Sequence, residues 1–148
     1  MKKLILLAVI ALFSVSLKAQ ILTPVTWSYG SKRISKTEAI VFLKATIDDK
    51  WHIYSQFVKD GGPVKTTFTF PTDKTYSLIG KPTEPTPISK YEDAFKMQLT
   101  YFEKSVIFQQ KVKLNSSKAI VKGTIEFMVC NDEQCLPPSE INFSIPVK

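Results

Sequence analysis

The chain is poor in several residue types, and each shortage narrows what it can do. It has 148 residues but only two cysteines, one histidine and five glycines. With so few soft ligands, a zinc or transition-metal site is not expected. No Gly-x-Ser-x-Gly motif occurs, which argues against a serine hydrolase. Cys-x-x-Cys is also absent, so the chain lacks the device by which thioredoxin lowers the pKa of a thiol at a helix start.

Helical periodicity is nearly absent, internal repeats are not found, and the charge is mild. The formal net charge is +7, and part of it belongs to lysines near the N-terminus. The other lysines are scattered among threonines and apolar residues rather than gathered in a run. We therefore expect a solvated lysine surface and no binding to nucleic acid.

The chain begins with a stretch that is typical of a secretory signal. Basic residues come first, an apolar run follows from Leu4 to Phe13, and a small-residue cleavage site ends at Ala19. The apolar run is too short for a comfortable membrane span, so we expect no membrane anchor in the mature chain. We predict a signal peptide over residues 1–19 and one domain over residues 20–148, which is enough chain for a single core.

Two-residue alternation of apolar side chains dominates the remainder. It predicts strands at Ala39 to Ile47, Trp51 to Phe57, Lys65 to Phe70, Val106 to Leu114, Val121 to Val129 and Ile141 to Val147. Short strands that are rich in β-branched and aromatic residues and separated by turns indicate an all-β fold, an immunoglobulin-like antiparallel β-sandwich. A small closed barrel is the alternative. The proline-rich stretch from Lys81 to Pro87 is expected to cross between sheets or to cap one end.

The two cysteines, Cys130 and Cys135, lie close together in Cys-Asn-Asp-Glu-Gln-Cys. Export would bring both thiols to a compartment in which they can pair. A bridge over a loop of about six residues constrains the unfolded chain by roughly 2 kcal/mol, against about 4 kcal/mol for a loop of about sixty. The spacing therefore suits a bridge that is opened and closed, but a local structural disulfide is an equally open interpretation.

The predicted strands place this pair at one end of the sandwich. Val121 to Val129 should lie beside Ile141 to Val147, so that Cys130 ends a strand and Cys135 falls in the connection. By phase, Cys130 lies on the face opposite Phe127. We therefore predict a pair near solvent, where the sulfur of a partner can line up with both cysteine sulfurs.

Three stretches resemble the N-terminal periplasmic domain of the membrane thiol:disulfide interchange protein DsbD. They are Trp51 to Gln56, Tyr91 to Phe95 and, as the most specific, Cys130 to Pro138. The resemblance implies an immunoglobulin-like periplasmic domain of a protein-disulfide reductase system, with no cofactor. Such a domain takes electrons from a membrane protein of the DsbD type and passes them to periplasmic thioredoxin-fold proteins, for disulfide correction or cytochrome c maturation.

The same resemblance implies roles for individual residues. Cys135 would attack the disulfide of the partner, and Cys130 would resolve the mixed disulfide. Phe95 would be the aromatic ring of a flexible cap over the site. The polar surround would comprise Asp93, Tyr54 and His52.

The chain also departs from the family pattern. Four residues separate the cysteines where the better-known members have five, Ala94 replaces a second acidic residue, and His52 replaces a tyrosine. Without the resemblance, Phe95 is more simply a core or surface aromatic, and His52 a partly exposed strand residue. The alternative function is therefore a non-enzymatic exported binding module whose short bridge only stiffens a loop.

Overall fold

The computed structural model describes residues 22–147, so the predicted signal peptide lies outside the described residues. This part of the chain contains strands and no helix. The strands are β1 (Val25–Arg33), β2 (Glu38–Ile47), β3 (His52–Tyr54), β4 (Thr67–Thr69), β5 (Tyr76–Thr83), β6 (Ile88–Glu92), β7 (Met97–Glu103), β8 (Ser105–Leu114), β9 (Ala119–Phe127), β10 (Val129–Cys130) and β11 (Ser139–Val147). The all-β prediction is confirmed.

The strands form three antiparallel sheets that make up the two layers of a sandwich. One layer is the sheet β1-β2-β8-β5, and the other combines β11-β9-β4 with β10-β3-β7-β6. The immunoglobulin-like sandwich predicted from the sequence is therefore confirmed. Each sheet ends in edge strands, so the alternative of a closed barrel does not form.

The main core lies between the two layers, and the strands with strict alternation fill it. Ala39, Val41 and Leu43 of β2 are fully buried, as are Phe108 and Val112 of β8. The intervening residues are more exposed, as the pleat of a strand requires. Both strands were predicted almost to the residue, because one face of each is buried along its length and the other face is more exposed.

Two predicted strands are shorter in the structure than in the sequence pattern. The stretch from Trp51 to Phe57 keeps only His52–Tyr54 as a strand. At its end the hydroxyl of Ser55 accepts a hydrogen bond from the Phe57 amide at 3.0 Å, which turns the chain out of the sheet. The stretch from Lys65 to Phe70 is likewise reduced to Thr67–Thr69.

The predicted strand from Val121 to Val129 divides in two at Met128. Its first part, β9, pairs with β11 as expected, with Ile125 opposite Ile141. Its last residues form β10, which leaves β11 and pairs with β3. Cys130 therefore belongs to the small sheet β10-β3-β7-β6.

Strands β3, β7 and β10 of the small sheet carry buried residues on both faces, whereas β6 is mostly exposed. Ile53, Phe102 and Val129 point from one face into the main core. The opposite face carries a second apolar cluster, called here the outer cluster, which consists of Tyr54, Val58, Leu99, Tyr101 and Cys130. The first three residues of the proline-rich stretch belong to β5, and only the rest crosses from the large sheet to the small one, so the predicted crossing is confirmed for that part alone.

Candidate functional site

The candidate site is the Cys130–Cys135 disulfide at the end of β10. Cys130 has only 1% of its surface exposed, whereas Cys135 is exposed. The prediction that the pair lies near solvent is thus right for Cys135 and wrong for Cys130. Cys130 does lie on the face opposite Phe127, as its phase indicated, but the outer cluster covers that face.

A tight turn holds the two cysteines together independently of their bond. The side-chain oxygen of Asn131 accepts hydrogen bonds from the amides of Glu133 at 2.9 Å and Gln134 at 2.8 Å. The backbone N–H of Asn131 donates to the backbone carbonyl of Gln134 at 2.9 Å, which closes the turn. An asparagine that bonds the backbone two and three residues ahead is a common way to fix such a loop. Reduction of the disulfide therefore leaves both sulfurs close together.

Phe95 lies in the turn of a hairpin and packs against the outer cluster. The β6 and β7 strands are joined by a short turn in which the Phe95 amide donates to the Glu92 carbonyl at 3.2 Å. Lys96 takes a positive φ of 51° and bonds the Asp93 carbonyl at 3.3 Å, so the turn closes within four residues. The Phe95 ring is half-buried and packs against the cluster that contains Cys130.

Tyr54 and His52 lie on the same face of the small sheet as Cys130. Tyr54 is 3% exposed, and its hydroxyl is 3.2 Å from Nε2 of His52. The imidazole also lies against the ring of Tyr101, with 4.7 Å between ring centroids. Burial, assisted by Glu92 and Tyr101, raises the pKa of Tyr54 to about 12, so its hydroxyl stays protonated and can donate at physiological pH.

His52 lies directly opposite Cys130 in the antiparallel pair of β3 and β10. Its other strand neighbour in the sheet is Glu103 of β7. Burial lowers the pKa of His52, and the nearby carboxylates of Glu103, Glu92 and Asp132 partly oppose this shift. The imidazole is therefore neutral at pH 7 and able to accept a proton.

The structure brings together most of the residues predicted for the site, but not all of them to the same degree. Cys130, Tyr54 and Phe95 meet in or against the outer cluster. Asp93 lies at the exposed turn of the hairpin and contributes its carbonyl to the turn.

Leu99 and Tyr101 belong to the outer cluster but were not among the residues predicted for the site. Alternation of Leu99, Tyr101 and Glu103 was the signal that could have found them. Met97 continues that alternation, but Phe102, which points to the opposite face, interrupts it because β7 is covered on both faces.

A search for a metal-binding cluster gives no candidate in the described part of the chain. No group of three or more histidine, cysteine, aspartate or glutamate side chains converges there. Over the same residues there is also no helix that is long and apolar enough to cross a membrane.

The family follows from a comparison with protein-family models. The model described as "Thiol:disulfide interchange protein DsbD, N-terminal" matches residues 18–146. The chain belongs to this family. No curated protein sequence matches the chain. Together with the Cys130–Cys135 bridge, membership of the DsbD N-terminal family makes the chain a thiol–disulfide exchange module.

Solved structures from the DsbD group share the fold of this domain. The reduced DsbD N-terminal domain of Neisseria meningitidis is 15% identical, with a TM-score of 0.52, over 79% of this chain and 82% of that one. The N-terminal periplasmic domain of ScsB from Proteus mirabilis is 14% identical, with a TM-score of 0.60, over 88% of this chain and 49% of that one.

A third similar structure is a complex. It contains the N-terminal domains of DsbD and PilB from Neisseria meningitidis, and it matches with a TM-score of 0.56 at 15% identity, over 84% of this chain and 87% of that one. Identities this low establish a shared fold, and the residues that act must be argued from the site itself.

Proposed function

We propose that this domain relays reducing equivalents in the periplasm from a membrane electron donor of the DsbD type to thioredoxin-fold acceptors. The acceptors would serve disulfide correction or cytochrome c maturation, and the domain would act as a protein-disulfide reductase component. The signal peptide predicted over residues 1–19 would bring the domain over residues 20–148 to that compartment. ScsB, whose similar domain is periplasmic, supports the location.

The observation that carries the proposal is the unequal exposure of the two bonded sulfurs. Cys135 is exposed, and Cys130 is 1% exposed beneath the outer cluster. Thiol–disulfide exchange needs the attacking sulfur to reach one sulfur of the target and the leaving sulfur to lie in line with it. Of the two thiols in the reduced domain, only that of Cys135 is open to a protein partner.

The exchange then runs in two balanced steps. The Cys135 thiolate attacks the partner disulfide, forms a mixed disulfide and expels the second partner sulfur as a thiolate. The Cys130 thiolate attacks the Cys135 sulfur, forms the intramolecular bridge and expels the first partner sulfur. The partner leaves as a dithiol with two electrons, and the membrane donor must reduce the Cys130–Cys135 bridge again. The DsbD–PilB complex supports a second protein domain as the partner of this fold.

Single-cysteine variants test the two roles. Cys130→Ala keeps the exposed thiol and should accumulate a mixed disulfide with an oxidised thioredoxin-fold protein, visible by non-reducing electrophoresis. Cys135→Ala keeps only the buried thiol and should trap little or none. Equal trapping by both variants would contradict the assigned roles.

The reduction potential separates an exchange site from a structural bridge. Structural disulfides of secreted proteins have potentials below about −300 mV, whereas disulfide-exchange proteins lie above this value. Equilibration of the mature chain with glutathione or dithiothreitol buffers, read by thiol alkylation and mass spectrometry, gives the potential. A value below about −300 mV would favour the alternative, a binding module with a stiffened loop.

A further inference from the structure

His52 is the titratable residue that lies directly across from Cys130 in the sheet. The two residues are directly opposed in the β3–β10 pair, so their side chains leave the same face. Opposed residues in antiparallel strands have Cβ atoms about 5 Å apart, within reach of a hydrogen bond between their side chains. The imidazole thus adjoins the sulfur that must become a thiolate in the second exchange step.

The orientation of the imidazole is fixed by its other neighbours. Nε2 is engaged by the Tyr54 hydroxyl at 3.2 Å, and the ring lies against Tyr101. For Nδ1 to accept a proton, the neutral ring must carry its hydrogen on Nε2, which then donates to the Tyr54 hydroxyl oxygen. His52 also lines a cleft of about 190 Å³ together with Glu103 and Asp132, through which water can exchange that proton with the solvent.

We propose that His52 is the base that takes the proton from the Cys130 thiol in the resolving step and returns it when the bridge is reduced. The inference rests on the proposed function. In the resolving direction, the thiol proton moves to the imidazole as the Cys130 sulfur bonds to that of Cys135. The expelled partner thiolate leaves, and the imidazolium releases its proton to water. In the reducing direction, His52 takes up a proton from water and gives it to the Cys130 thiolate as the bridge opens.

The surroundings of His52 suit this role. Its lowered pKa keeps the imidazole neutral at pH 7, so that it can accept a proton. The charged and titratable groups that face it from the neighbouring strands and the cysteine loop are Lys90 and Glu92 of β6, Tyr101 and Glu103 of β7, Tyr54 of β3 and Asp132. The carboxylates stabilise the imidazolium while it exists, and burial promotes its return to the neutral form.

The rate increase that a base can give to the resolving step follows from the pKa of an ordinary thiol. A thiol with an ordinary pKa near 8.5 is only about 3% thiolate at pH 7. A base within reach of the thiol can therefore speed the resolving step by about 30-fold.

The test follows the resolving step alone. The reduced mature chain is mixed with glutathione disulfide, quenched with acid and analysed by mass spectrometry, so that the mixed disulfide on Cys135 and its conversion to the bridge are timed separately. Between pH 5 and pH 8, the wild-type conversion rate should show a break at the pKa of His52, with slower conversion below it. His52→Gln should lose the break and convert about 10-fold to 100-fold more slowly at pH 7.

Two further variants keep the test decisive. Glu103→Gln removes a carboxylate that raises the pKa of His52, so its break should move to lower pH. If His52→Gln does not fold, His52→Tyr keeps an aromatic ring against Tyr101 without the base and should also lose the break. An unchanged profile in a folded variant at position 52, or faster conversion when His52 is protonated, overturns the base role.

The same experiment separates this inference from the function on which it rests. If the wild-type chain forms no mixed disulfide, either with glutathione or with a thioredoxin-fold protein, the exchange function fails and the role of His52 fails with it. If the wild type exchanges normally and a folded variant at position 52 matches it at every pH, only the role of His52 is wrong.

Discussion

Removal of the Phe95 ring should make the disulfide easier to reduce. A small thiol that attacks the exposed Cys135 sulfur must expel Cys130 as a thiolate into the apolar outer cluster, which disfavours the charge. Attack on the Cys130 sulfur is blocked, because that residue is 1% exposed. The Phe95 ring lies against this cluster, so attack by a small thiol on either sulfur should become faster when the ring is absent.

The size of the effect follows from the burial of the ring. Full burial of a phenylalanine side chain stabilises by about 1.5–3 kcal/mol, so a half-buried ring contributes about 1 kcal/mol. If reduction needs the ring to swing away, this energy is lost at that step. Since about 1.4 kcal/mol corresponds to a factor of ten, Phe95→Ala should be reduced about fivefold to tenfold faster.

The assay is the rate at which dithiothreitol reduces the oxidised mature chain, read by quenched alkylation. Tyr91→Ala is the matched control, because Tyr91 belongs to the same hairpin but is 55% exposed and lies outside the outer cluster. Phe95→Leu should fall between Phe95→Ala and the wild type. The reasoning is refuted if Phe95→Ala is reduced at the wild-type rate, or if Tyr91→Ala accelerates reduction equally. Rates that rise with low concentrations of urea would point instead to partial unfolding.

Two further predictions concern the scaffold, and urea unfolding measures both. Gly123→Ala should lower the free energy of unfolding by about 1–3 kcal/mol, because a Cβ at this position would collide with the β4 backbone and a phenylalanine ring of β11. Gly30→Ala is the control, because a Cβ there meets open space and should leave the free energy of unfolding nearly unchanged. The Glu84 carboxylate accepts a hydrogen bond from the buried Ser55 hydroxyl, so Glu84→Ala should lower the free energy of unfolding by about 1–3 kcal/mol. Glu140 is exposed, and Glu140→Ala should change the free energy of unfolding little. Equal effects within either pair would contradict the packing or hydrogen-bond argument.

In the strands that became β2, β8, β9 and β11, the alternation of apolar residues predicted which face is buried, but not where the pairing partner changes. From Phe127 to Cys130 the phase is unbroken, and Phe127 and Val129 both point into the main core. The partner nevertheless changes at Met128 from β11 to β3. A period of two depends only on the pleat, so it is preserved when a strand moves to another sheet.

The burial of Cys130 was missed for a different reason. Its phase correctly put it on the face away from the main core, and for most sandwiches that face is solvated. Here Val58 from the connection between β3 and β4 and Phe95 from the turn between β6 and β7 pack against that face. Gly62 lies close to the first of these, since a Cβ there would meet Val58 at 2.9 Å. Contacts between such distant segments leave no periodic signal within any one strand.

The geometry also explains how this domain can open its disulfide without loss of structure. The main core draws on both layers and includes no cysteine, and the Asn131 turn keeps the cysteine loop closed by hydrogen bonds at 2.8–2.9 Å. A bridge over so short a loop adds roughly 2 kcal/mol at most through chain entropy. Reduction therefore changes the chemistry of two sulfurs while the strands that position them stay in place. That separation between a stable scaffold and a weakly constraining bridge is what repeated cycling between dithiol and disulfide requires.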